Sequence, residues 1–157
     1  MKFFTPVLEI RSKLGELHFE RFAIIETKWF AFYIHKIHKA DKDPHLHSHP
    51  WNFATLTLKG SYVEKHLSTD VFGEMQDVER VKKTFSFATA DRNYFHKIEE
   101  ILDGPVHTLF VTWGRHKNWN YLVNDVKIES NTYRQLKHSA VPNEVNSAVS
   151  GSNYSIK

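Results

Sequence analysis

The chain has 157 residues and a mass of 18.5 kDa, which leaves room for one hydrophobic core and hence a single domain. Hydrophobic residues make up 41% and aromatic residues 14%, a composition too apolar for disorder and suited to pleated, half-buried surfaces. The formal charge of +3 arises from 21 basic and 18 acidic residues spread along the chain, so no clustered patch for nucleic acid is expected, whereas a small anionic ligand is compatible.

The absence of cysteine excludes disulfides and any thiolate-bound zinc or iron–sulfur site. No run of about 18 apolar residues occurs, and Met1 to Pro6 leads into charged residues instead of an apolar signal core. The expected compartment is therefore the cytoplasm, with no membrane partner.

Strand signals follow one another along the chain. Val7 to Arg11 ends at a turn around Ser12 to Gly15; Leu17 to Ile25 and Trp29 to His38 are β-rich. A polar loop from Lys39 to Pro44 precedes a group of histidines. Phe53 to Leu58 and Tyr62 to His66 are expected as two strands separated by a Lys59-Gly60-Ser61 turn. The polar stretch Leu67 to Arg80 has Gly73 as its tip, and the run Glu79 to Lys83 is expected at a solvated strand edge or turn. Strands at Lys83 to Ala88, Phe95 to Leu102 and Val106 to Trp113 follow, the last two split by a turn at Asp103-Gly104-Pro105. Trp119 to Val123 and Val126 to Ile128 are expected as an edge pair. Only Thr132 to Lys137 shows a helical period. Short strands joined by turn chemistry predict an all-β jelly-roll barrel or sandwich over residues 1–138. Residues 139–157, rich in Ser, Asn and Val, are expected as a mobile polar tail.

The segment Asp43-Pro44-His45-Leu46-His47-Ser48-His49-Pro50-Trp51 carries the chemistry. In an extended chain, alternate residues share a face, so His45, His47 and His49 would emerge together. Neutral imidazole is the commonest metal ligand, and two of them two residues apart can serve one ion. His96 follows the polar turn Asp91-Arg92-Asn93 and opens a new strand, so it can supply a ligand from a second element. His35 and His38 lie at odd spacing and face opposite sides, as expected of core or surface residues. Trp51 and Phe53 are expected in the core or as pocket walls.

These blocks resemble the two motifs of the cupin superfamily: His47-x-His49 through Gly60, and a second segment ending in His96. A closer resemblance is to small uncharacterised cupin-like proteins of bacteria and bacteriophages. It rests on His47-Ser48-His49-Pro50-Trp51, Leu58-Lys59-Gly60-Ser61-Tyr62-Val63-Glu64, Asp103-Gly104-Pro105 to Trp113, and Trp119, and spans Phe30 to Tyr121. The resemblance implies a cupin jelly roll with one divalent ion (Fe, Zn, Mn or Ni) on His47, His49 and His96. Two departures stand out. The glutamate that cupins carry shortly after the second histidine falls at Phe53 or Ala54, and the Pro-x-Gly of the second motif is replaced around Thr89-Ala90. A fourth ligand would then be His45, Glu64, water or substrate.

Three imidazoles would leave the charge of the ion uncancelled and positions open, which suits a bound anion, activation of water or polarisation of a carbonyl. The resemblance to cupins, which include three-histidine oxygenases, implies oxygenase or isomerase/hydrolase chemistry on a small molecule, for which an anion is compatible. Glu64 and Arg115 are the candidate catalytic side chains, Arg115 as a cation at the barrel mouth. A metal-containing binding module without turnover, and a protein whose metal only staples the barrel, are the alternatives. The composition is compatible with a homodimer.

Overall fold

A computed structural model describes residues 6–12 and 14–139. The expected tail therefore lies, apart from Ser139, outside the described residues. Ten strands are followed by one helix. The strands are β1 (Leu8–Arg11), β2 (Leu17–Glu26), β3 (Phe30–Ile37), β4 (Leu46–His47), β5 (Asn52–Thr69), β6 (Met75–Lys82), β7 (Phe87–Ala90), β8 (His96–Trp113), β9 (Asn120–Val123) and β10 (Val126–Glu129). The helix is α1 (Ser130–Ser139). Every pairing is antiparallel, and the main path runs β1-β2-β3-β8-β4-β9-β10. Strand β5 pairs with β8 along most of its length and carries β6 and β7 on its other edge.

The two expected turns in the middle of the sequence are bends inside single strands. Strand β5 runs through Lys59-Gly60-Ser61, and β8 runs through Asp103-Gly104-Pro105 with a cis Gly104–Pro105 peptide. The register between them shifts around Thr57 to Tyr62, so both long strands bend at the same level. Turn residues serve a bulge as readily as a loop, because both need an unusual φ and both interrupt the ladder. Gly60 has φ +83°, and a side chain there would overlap the Asp103 carbonyl oxygen and crowd Val106.

Two other segments differ from the sequence expectation. Lys83 to Ser86 is a turn, with the Ser86 amide bonded to the Lys83 carbonyl and Phe85 at φ +68°, so β7 begins only at Phe87. The polar stretch after Leu67 is a β5–β6 hairpin turning at Asp70 to Glu74, where the Asp70 carboxylate accepts the amides of Phe72 and Glu74. Gly73 sits in that turn, as expected.

Alternation decides what faces inward. Strand β3 buries Ala31, Tyr33, His35 and Ile37, β8 buries Val106, Thr108, Phe110 and Thr112, and β5 buries Tyr62, Glu64 and His66. Ala31, Tyr33, Phe53 and Phe110 form one apolar cluster; Ile37, Tyr62 and Val106 form a second. Tyr121, Val123 and Tyr133 pack α1 against β9. Polar groups thus stand within the inward rows, where a purely structural core would place apolar ones.

Gly60→Ala is expected to cost roughly 3 kcal/mol, since it combines a left-handed φ with a backbone clash. Gly73→Ala, with the same hand of φ but open space around it, should cost only about 1 kcal/mol. Urea unfolding checks this; equal losses would show that the Gly60 approach is not tight.

Candidate metal centre

Three register relations assemble the centre. His47 lies directly opposite His96 across the β4–β8 pair, and His49, just past the end of β4, brings its ring against both. His96 is also opposite His66 across β5–β8. The rings of His47, His49 and His96 lie 5.1–5.4 Å apart, centroid to centroid. Each offers one nitrogen, the three lying within 4.8 Å of one another, and the Nε2 atoms of His49 and His96 are 2.9 Å apart. Two nitrogens bound to one ion at about 2.0–2.1 Å and at right angles stand about 2.9 Å apart, so the spacing fits a shared ion. The group can hold a divalent metal.

Glu64 lies behind His96. Its Oε1 accepts from His96 Nδ1 at 2.8 Å; its Oε2 accepts from the Tyr94 hydroxyl at 3.2 Å and pairs with Lys82 Nζ at 3.3 Å. Lys82 and His96 are both diagonal neighbours of Glu64: Lys82 pairs with Tyr62 and His96 with His66, each two residues from Glu64 on its face. Burial pushes the Glu64 carboxyl up, but the His96 hydrogen bond and the His96 and Lys82 charges outweigh it and hold it at about 2. A carboxylate only accepts, so His96 Nδ1 carries the proton and Nε2 faces His49. Burial, then the charge of His96, lowers His47 to about 4, and the same causes hold His49 well below its ordinary value. Imidazoles kept neutral keep their lone pairs for a metal.

Aromatic side chains wall the group. Trp51 stacks on His49 at 5.8 Å with 7° between planes, and Phe53 stacks on His96 at 5.7 Å. His47 packs against Trp119 and Tyr121. The three histidines and Glu64 open onto a cavity of about 310 Å³ with apolar walls that include Phe19, Ile37 and Phe110.

The remaining sequence candidates are placed elsewhere. His45, just before β4, packs in a T-shaped contact against Tyr133 of α1 at 5.8 Å, away from the other three histidines. Arg115 is exposed beyond β8 and lines the outer rim with His49 and Trp51, not the inner cavity. Four residues near the site were not anticipated: Lys82, Tyr94, Arg21 and His35. Lys82 belongs to the charge run expected at a solvated edge; its neighbours are exposed, but it is 5% exposed and points to Glu64. Arg21 alternates with Phe19 on β2, the one sequence feature that could have marked it as inward-facing.

No protein-family model matches the chain, and comparison with curated proteins finds no match. Solved structures do match in shape. One is a protein described as a mannose-6-phosphate isomerase from Ralstonia eutropha JMP134: TM-score 0.50 and 13% identity, over 60% of this chain and 83% of that one. Another is the FeII form of HppE: TM-score 0.50 and 11% identity, over 73% of this chain. This chain spans 60% of the HppE chain. Both neighbours are cupin-fold proteins, and the fold here is accordingly a cupin-type, all-β jelly roll. Among the described residues, no helix is long and apolar enough to cross a membrane.

Glu64→Gln is expected to weaken zinc binding about 10- to 100-fold while the fold is retained, because it loosens the hydrogen bond that orients His96. Competition with a chromophoric chelator measures it. Unchanged affinity would show that His96 is oriented by something else.

Proposed function

We propose that this chain is a metal-dependent cupin enzyme acting on a small, anionic molecule, with His47, His49 and His96 as the ligands of one divalent ion. The observation that carries the reading is the convergence of three histidine nitrogens, from β4, the segment just after it and β8, on the wall of a partly open, largely apolar cavity. A divalent ion on three neutral imidazoles keeps its charge and open positions, and supplies Lewis-acid polarisation or, as iron, one-electron chemistry.

The chain's own residues do the rest. His47, His49 and His96 bind; Glu64 fixes the tautomer and orientation of His96; Trp51 and Phe53 exclude water from the ring faces. Glu64 acts as a positioning residue, not as a fourth ligand or a base. Both of its oxygens are engaged, and a carboxylate held at about 2 is a poor proton acceptor at neutral pH. That favours oxygenase-type chemistry, in which the ion carries the reaction, over isomerase or hydrolase chemistry that needs a strong side-chain base. The same feature supports the second reading, a metal-containing module that binds its ligand without turnover.

Protein purified without nickel chromatography should carry close to one divalent ion per chain. After anaerobic loading with iron(II), oxygen uptake should depend on one of a panel of small organic acids and vanish in His49→Ala. Stoichiometric metal with saturable acid binding but no turnover would select the binding module. Absence of metal from the intact protein would reject both readings.

A further inference from the structure

We propose that Arg21 anchors the carboxylate of a small, mainly apolar organic acid bound in the histidine-lined cavity. The inference rests on the reading of that cavity as a small-molecule site and names the class of molecule. Arg21 on β2 is the cross-strand partner of His35 on β3, and its Nε donates to His35 Nε2 at 3.0 Å. His35 is 6% exposed, and burial followed by the Arg21 charge holds it well below its ordinary value, so it is the neutral acceptor of that bond. The guanidinium lies over the Tyr33 ring at 4.8 Å, with the Trp51 and Phe19 rings each at 5.8 Å. The guanidinium is thus held among three aromatic rings, and its Nε is used.

The Nη donors are left over. Among the described residues, no carboxylate lies within ion-pairing distance of Arg21, and its one hydrogen bond is to His35. Glu26, whose charge acts on Arg21, accepts instead from the Tyr33 hydroxyl at 3.1 Å. A half-buried guanidinium loses hydration, and that loss is offset only when an anion meets its fork. Arg21 lines the inner cavity with His47 and His49 and the outer one with Trp51 and Arg115, so it stands where the cavities meet. Trp51, which it approaches, stacks on His49, and this places the cation next to the metal group.

The geometry points to a carboxylate in preference to a phosphoryl group. Two terminal donors match two coplanar oxygens, and the mainly apolar wall beyond them suits a monoanion with a hydrocarbon stem better than a dianion. Of the two lysines on the cavity wall, Lys39 is paired with Glu16 at 2.8 Å while Lys42 has no ion pair among the described residues, and Glu64 is engaged by Lys82 and His96. Ile10, Ile37, Phe19 and Phe110 line the space beyond and suit a hydrocarbon stem.

The test is titration of the full-length protein with butyrate, 1-butanol and inorganic phosphate, followed by NMR at the Arg21 Nε–H, in metal-free and zinc-loaded forms. Butyrate should shift that signal saturably in both forms, and 1-butanol should not. Arg21→Lys should bind butyrate about tenfold more weakly and Arg21→Gln more weakly still, read at the Trp51 indole N–H, with zinc content unchanged in both variants. Arg21→Lys keeps the charge and the stem, so it serves as the folded control. Equal butyrate affinity in wild type and Arg21→Gln, no saturation in wild type, or tighter binding of phosphate than of butyrate would overturn the proposal. Loss of zinc binding by the wild type would defeat the metal reading, while the metal-free titration still decides the role of Arg21.

Discussion

The register between β5 and β8 is the constraint from which the site follows. It sets His66 opposite His96, and that in turn places Glu64 diagonally across from His96 on the inner face. Strand β6, paired to the other edge of β5, brings Lys82 to Glu64 from the opposite side. A slip of one residue between β5 and β8 would turn Glu64 outward and leave His96 without its acceptor. The bulges around Gly60 lock that register, because the close approach to Asp103 fits only one alignment of the two bends.

The same register explains how charged groups persist inside a small barrel. Glu64 and Lys82 are 4% and 5% exposed, a costly arrangement for two ions unless each is paired and hydrogen-bonded. The carboxylate meets that condition with three partners, and the result is a rigid support for one imidazole. Function and stability pull in different directions here, since apolar residues at these two positions would pack as well and would leave His96 free to turn.

Much of this was legible in the sequence. The alternation in His47-Ser48-His49, with Ser48 buried between two half-buried histidines, is a local feature of the sequence even though β4 ends at His47, and the strand segments follow from β-rich runs bounded by turn residues. His96 was within reach because a motif-like turn precedes it. Lys82, Tyr94, Arg21 and His35 were not, because their roles come from cross-strand neighbours, and nothing along the chain announces which strand lies beside which. Lys82 shows the difficulty plainly: among Glu79, Arg80 and Lys83 it looks like one more solvated charge, and only the pleat of β6 turns it inward. Gly60 and Asp103-Gly104-Pro105 were recognised as breaks in regular structure, but the same chemistry fits a loop or a bend, and the pairing of two long strands decided between them.

X-ray absorption spectroscopy of the metal-loaded protein tests the central claim most directly. The account predicts three imidazole nitrogens at about 2.0–2.2 Å, the other ligands being light oxygen donors that exchange with added anions. A spectrum with fewer than three imidazoles, or one unchanged when His96 is replaced by alanine, would contradict a centre built from His47, His49 and His96.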